Sequence, residues 1–210
     1  MRGPWTSGRL WGALLGAILL WGSVFFPGPA GASDLSGLPD LGGDTPADRA
    51  AFLAKTRKET VGISIGHGNR TLWVYFNPDC SYCHRLWTAL SGVSDLRVVW
   101  IPVTFSLKPS SLARSAAILS AKDPAAALSR NEETFNDFRE EGGYPVKGPI
   151  SSRAREEVTR NTMLLRMWTG KIATPTLLYR DTRGAVQESV GLPADIPGML
   201  ATIAPTPHGK

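Results

Sequence analysis

Cys80-Ser81-Tyr82-Cys83 carries the only two cysteines of a 210-residue chain, and two thiols at this spacing do a narrow range of chemistry. With no third or fourth cysteine, they fall short of both a disulfide framework and a four-cysteine zinc site. A purely structural disulfide here would close too short a loop to gain much from chain entropy. What remains is a redox pair that opens and closes, or a pair consumed by covalent attachment. The reactive form of a cysteine is its thiolate. A helix N-terminus supplies unpaired N–H groups and about half a positive charge, enough to favour ionisation of a thiol at that point. Cys80 falls where a strand ends and a helix begins, so it reads as the attacking sulfur. Cys83, nearly one turn further on and more sheltered, reads as the sulfur that resolves the mixed disulfide.

His84 opens a rival reading. Cys80-Ser81-Tyr82-Cys83-His84 matches the C-x-x-C-H pattern of haem attachment, with Met163, Met167 or Met199 as a possible distal ligand. A c-type cytochrome is therefore the alternative function. A small cytochrome is expected to be nearly all helical, whereas a hydrophobic strand runs straight into this motif. Zinc on Cys80, Cys83 and His84 would need a fourth ligand such as His67, and adjacent Cys and His rarely point at one ion. No metal is expected. Left to itself, His84 reads as a partly exposed residue on the first helical turn, with a tuning influence on Cys80 as the alternative.

The elements that must position the pair follow from patterning. Leu72 to Phe76 (LWVYF) is a continuous apolar run of β-favouring residues, as in a strand buried on both faces. From Cys83 to Val93, Leu86, Leu90 and Val93 recur at helical spacing. Leu96 to Val103 is a second strand, completing a βαβ unit that favours parallel strands. Lys108 to Glu141 reads as largely helical, interrupted at Asp123-Pro124 and stopped by Gly142-Gly143. Ser152 caps another helix ending near Gly170. Thr176–Arg180 and Ala185–Val190 read as a hairpin, and Ala194 to Ile203 as a last helix. Upstream, Ala47 to Thr60 suggests a short helix and residues 62–69 a loop or weak strand. The fold class expected is α/β: a mixed sheet flanked by helices, with a helical insertion.

Bulk properties bound the setting. The chain is 42% hydrophobic and 20% charged, with a net charge of +5. Without Arg2 and Arg9 the balance is 21 basic to 18 acidic residues, too mild to imply nucleic acid. Residues 1–32 read as an export signal. Arg2 and Arg9 are its positive end, Leu10 to Phe26 its apolar run, and Ala30-Gly31-Ala32 its cleavage site. The same run is just long enough to act as an uncleaved anchor. Both versions place the remainder outside the cytoplasmic membrane. Residues 33–70 read as a linker and short N-terminal segment, 71–205 as the catalytic domain, and 206–210 as a tail.

Four spaced motifs resemble a known family. These are Asn77-Pro78-Asp79-Cys80-Ser81-Tyr82-Cys83, the stretch from Ala116 to Ala125 (AAILSAKDPA), Ala173-Thr174-Pro175-Thr176, and Val190-Gly191-Leu192-Pro193. In that order they resemble the catalytic domain of the periplasmic DsbC/DsbG disulfide isomerases, the DsbG branch in particular, with a thioredoxin-like fold. The resemblance implies that Cys80 is the nucleophile and Cys83 the resolving thiol. It also implies that Thr174–Pro175 is a cis bond facing the cysteines, that the backbone beside Pro175 pairs with an extended substrate, and that Thr174 borders the sulfurs. Ser81 and Tyr82 occupy the family's variable dipeptide. Tyr82 matches it, whereas Ser81 departs from the expected Pro or Gly. The family's N-terminal dimerisation domain has no full counterpart upstream of residue 71, so a monomer, or a dimer of another kind, is expected. The partners implied are exported proteins with cysteines and a membrane thiol reductase or oxidase that resets the pair, with no cofactor.

Overall fold

The computed structural model describes residues 44–105 and 109–206. The proposed export signal, most of the linker and the last four residues lie outside them. Among the described residues no helix is long and apolar enough to cross a membrane.

Helix α1 (Pro46–Glu59) begins at a capping box. The Asp48 amide donates to Thr45 Oγ1, and the Thr45 amide donates back to the Asp48 carboxylate, both at 3.2 Å, with Pro46 pre-set for the first turn. Then follow β1 (Ile63–Ile65), β2 (Arg70–Phe76), α2 (Ser81–Leu90), β3 (Leu96–Pro102), α3 (Pro109–Leu119), α4 (Pro124–Glu133), α5 (Ser152–Thr169), β4 (Thr176–Arg180), β5 (Val186–Val190) and α6 (Ile196–Thr202). Proline sits inside the start of α4 after an Asp123 cap, and α5 ends on Gly170 at φ 68°, where glycine avoids a Cβ clash.

The strands form one sheet in the order β1-β3-β2-β4-β5. β2 and β3 run parallel through the α2 crossover, with Leu72 opposite Val98 and Phe76 opposite Pro102, and the other pairings are antiparallel. β2 is central and loses both faces to the core. Leu72, Val74 and Phe76 point to one side, among Leu86, Leu90, Ile118 and Leu128. Tyr75 and Trp73 point to the other, among Phe52, Leu53, Leu164 and Leu165. Period-2 alternation therefore gives each sheet face its own helices: α2, α3, α4 and α6 on one, α1 and α5 on the other.

Two features matter for the site, the second of them a difference from the sequence reading. β1 is short but pairs along the outer edge of β3, so the segment ahead of β2 belongs to the sheet. The helical insertion also stops earlier than its glycines suggest. α4 ends at Glu133, and residues 135–141 fold back as a narrow turn closed by Asn136 pairing with Glu141. The Asn136 side chain accepts from the Arg139 amide at 3.0 Å, a local bond that competes with continued helix. Gly142 and Gly143 are there for close approach: a Cβ on Gly142 would collide with the Asn131 side chain and the Pro78 carbonyl.

Candidate active site

β2 delivers the chain to the site, and Asn77 to Asp79 turn it into α2. The Asn77 side chain accepts from the Asp79 amide at 2.8 Å and donates to Ser111 Oγ, so this polar turn is satisfied while fully buried. Cys80 is the N-cap of α2, in extended backbone at φ −114°, with its carbonyl accepting from the His84 amide at 3.0 Å. Cys83 lies inside the first turn, 1% exposed and packed with Leu86 against the sheet. Both cysteines are free thiols.

Pro175 opens β4 from the opposite side. The Thr174–Pro175 bond is cis, and the Cys80 S–H points at the Thr174 carbonyl at 3.5 Å. The Thr174 hydroxyl is buried without an oxygen or nitrogen partner, and the groups it acts on are the two sulfurs. The Pro175 carbonyl accepts from the Gly191 amide at 2.7 Å, which pins the loop to the end of β5. Ser81 faces the 135–141 turn, its hydroxyl donating to Glu140 at 3.3 Å. Tyr82 is 55% exposed, with the Arg85 guanidinium 5.5 Å from its ring centroid. Cys80, Cys83, Thr174 and Pro175 thus meet at one point, and Ser81 and Tyr82 form the adjoining surface.

The two thiols are driven apart in acidity. Cys80 is pushed down to about 6. The largest cause is a hydrogen bond from the Cys83 thiol. Burial opposes it, and the Thr174 hydroxyl and the amides of Cys83 and Tyr82 add to it. Cys83 is pushed up, first by complete burial and then by the neighbouring Cys80. The helix-end amides expected from the sequence do contribute, but the second sulfur contributes most.

Beneath the cysteines lies a polar layer that the motif did not reveal. Asp79 is 4% exposed, with its carboxylate 2.7 Å from Arg114 Nε. That Nε–H is not aimed at the oxygen, so the contact is an ion pair rather than a directed hydrogen bond. Asp79 also accepts from the Gly142 amide at 3.0 Å, while Arg114 reaches Glu141 at 2.5 Å. Asn131, fully buried, donates to the Pro78 carbonyl and to Glu132, both at 3.0 Å. Glu132 is 2% exposed and lies 3.3 Å from His84 Nδ1. The His84 ring stacks on Phe135 at 4.6 Å. The turn that launches Cys80 is therefore clamped by α3, α4 and the 135–141 turn. An acid directly before the first cysteine is the only trace of this in the sequence. Nothing in the run Ser129-Arg130-Asn131-Glu132-Glu133 separates a buried glutamate from a solvated one.

The residues do not suit haem. The Cys83 sulfur faces the core, the His84 ring is held between Glu132 and Phe135, and Met163 and Met167 are exposed on α5 while Met199 packs against the core. Among the described residues no cluster of three or more His, Cys, Asp or Glu is placed to hold a metal ion, and His67 is exposed.

No protein-family model matches the chain. It is 30% identical over 130 residues to the thiol:disulfide interchange protein DsbG of Escherichia coli, covering 58% of this chain and 48% of that one. It is 28% identical over 167 residues to DsbG of Pseudomonas aeruginosa, covering 75% and 60%. The chain thus spans about half to three-fifths of the length of these relatives. A periplasmic thioredoxin-like protein of Salmonella enterica serovar Typhimurium superposes with a TM-score of 0.54 at 19% identity, over 72% of this chain and 92% of that one. The fold is thioredoxin-like, with a five-stranded mixed sheet flanked by helices.

Proposed function

We propose that the chain is an exported thiol–disulfide oxidoreductase of the reductase or isomerase type, acting in the periplasm on cysteines of other exported proteins. The observation that carries this is the split between two sulfurs three residues apart: one partly exposed and pushed down to about 6, the other fully buried and pushed up. Similarity to DsbG and a thioredoxin-like fold support the same reading. Residues 71–205 form the catalytic domain in this reading. Residues 1–32 act as export signal, or as an anchor through residues 10–26; within 33–70, α1 and β1 pack onto the catalytic domain and the stretch ahead of α1 is the link.

The Cys80 thiolate attacks a client disulfide, forming a mixed disulfide and expelling one client thiolate. Cys83 then attacks Cys80 Sγ, closing the Cys80–Cys83 disulfide and releasing the second client sulfur. A client segment lies along Thr174–Pro175. With the Pro175 carbonyl held by Gly191 and the Ala173 carbonyl by the Thr176 hydroxyl at 2.8 Å, the main chain of Thr174 is the part that meets it. Ser81 and Tyr82 flank the client on the helix side. A membrane thiol reductase or oxidase returns the pair to its working state, and the protein works as a monomer.

Trapping with Cys83→Ala tests this. Without the resolving thiol, clients stay on Cys80 as mixed disulfides that a reductant releases. A folded, exported variant that captures nothing sinks the reading.

A further inference from the structure

We propose that Glu132, paired with His84, is the proton site of this redox couple: it holds a proton while Cys80 is a thiolate and yields it when Cys80 and Cys83 close into a disulfide. This rests on the oxidoreductase reading above.

Glu132 comes from α4 in the helical insertion, yet it lies in the layer under the cysteines, 2% exposed. Its Oε1 accepts from Asn131 at 3.0 Å, and its Oε2 is 3.3 Å from His84 Nδ1. Among the described residues no lysine or arginine pairs with it, because the nearby Arg114 is spent on Asp79 and Glu141. A carboxylate so buried and without a cation is strongly disfavoured, so the proton stays on the Glu132 carboxyl.

The groups acting on it are Asp79 and Cys80 from the loop before α2, His84 from α2 and Asn131 beside it on α4; Arg114 from α3 and Glu141 adjoin Asp79 and each other. Glu132 is pushed up to about 8, chiefly by burial; Asn131 opposes this, and the negative charges of Cys80 and Asp79 add to it. Of these charges, only that of Cys80 vanishes on disulfide formation. His84 also connects the two sites mechanically, since its amide donates to the Cys80 carbonyl at 3.0 Å.

The step balances. Cys80 as thiolate, Cys83 as thiol and Glu132 as carboxylic acid react with a client disulfide. They give the Cys80–Cys83 disulfide, a Glu132 carboxylate and two client thiols. Two electrons pass from the protein sulfurs to the client sulfurs, and the two protons come from Cys83 and Glu132.

Glu132→Gln keeps the size and both contacts, since an amide accepts from Asn131 and donates to His84, but it cannot titrate. The experiment follows the equilibrium constant for reduction by dithiothreitol from pH 5 to 9 in the parent and in Glu132→Gln, using the full chain. The ratio of the parent's constant to the variant's should fall with pH, by at most tenfold per unit, in a window ending near pH 8, and be flat outside it. A ratio independent of pH overturns the proposal and leaves the oxidoreductase reading standing. A parent chain that forms no reversible Cys80–Cys83 disulfide overturns both. Should the variant fail to fold, redox-difference infrared spectroscopy of the parent decides: a protonated carboxyl band must appear on reduction, and its absence overturns the proposal.

Discussion

Replacing Cys83 by Ala removes the strongest single support of the Cys80 thiolate, and the size of the effect follows from the site. Cys80 sits at about 6 against an ordinary 9.0. At pH 7 that makes it about nine-tenths ionised, where an unperturbed thiol is about one-hundredth ionised. A hydrogen bond to a charged acceptor is worth ~1.5–3 kcal/mol, and ~1.4 kcal/mol corresponds to one pKa unit. Loss of the Cys83 S–H should therefore raise the Cys80 midpoint by ~1–2 units. Iodoacetamide alkylation across a pH series reads this directly, because buried Cys83 is pushed up and stays silent in the parent. At pH 6 the variant has about 5–50-fold less thiolate. Each thiolate is also more nucleophilic by about 3–8-fold, since reactivity rises with basicity. The net rate should be about two- to sixfold lower than the parent's at pH 6 and about three- to sevenfold higher at pH 9. The two profiles must cross. Coincident profiles, or a parent midpoint near 9, would refute the claim that one sulfur ionises at the expense of the other.

Three further outcomes follow from neighbouring contacts. Thr174→Val removes a buried hydroxyl that acts on both sulfurs while keeping its volume, and should raise the Cys80 midpoint by about one unit or less in the same alkylation series. Arg114→Ala strands the buried Asp79 carboxylate and should cost ~3–5 kcal/mol in urea unfolding. Arg114→Ala combined with Asp79→Ala should cost less than the sum of the two single changes, and strict additivity would show that the pair does not interact. In the reduced chain, Cys80 is depressed below its unfolded value. Its contribution to stability is therefore complete above pH 9 and lost as pH falls toward 6. Urea midpoints compared with Cys80→Ser should show that difference growing with pH across this window, by at most ~1.4 kcal/mol per unit. Glu132, raised rather than lowered, gives a slope of opposite sign, and because the Cys80 charge adds to that rise the comparison is made with Glu132→Gln in both proteins.

The parts of the site that depend on neighbours in sequence were open to reading from the residues, and the parts that depend on distant pairing were not. LWVYF announced a strand with two buried faces because every residue in it is apolar, and the structure divides Leu72, Val74 and Phe76 from Tyr75 across the sheet as period 2 requires. Two cysteines at a strand–helix junction likewise announced which sulfur is outer and which inner. Asp79, Arg114, Asn131 and Glu132 gave no such signal. Their burial is set by contacts spanning 53 residues from Asn131 to Pro78, 48 from Glu132 to His84 and 63 from Gly142 to Asp79. Local composition shows only polar residues of the kind that normally face water. The end of the second insertion helix is hidden in the sequence for the same reason. Its glycines looked like a stop signal after a long helix, whereas they permit the 135–141 turn to lie against Pro78 and Asn131. A thioredoxin-like βαβ unit could hold Cys80 and Cys83 at a helix start without any of this. The insertion adds a polar floor, with one carboxylate held by Arg114 and one left without a cation. A titratable carboxyl near a sulfur that itself gains and loses charge couples to it, so α4 enters the proposed redox chemistry of this site alongside the motif that first drew attention to it.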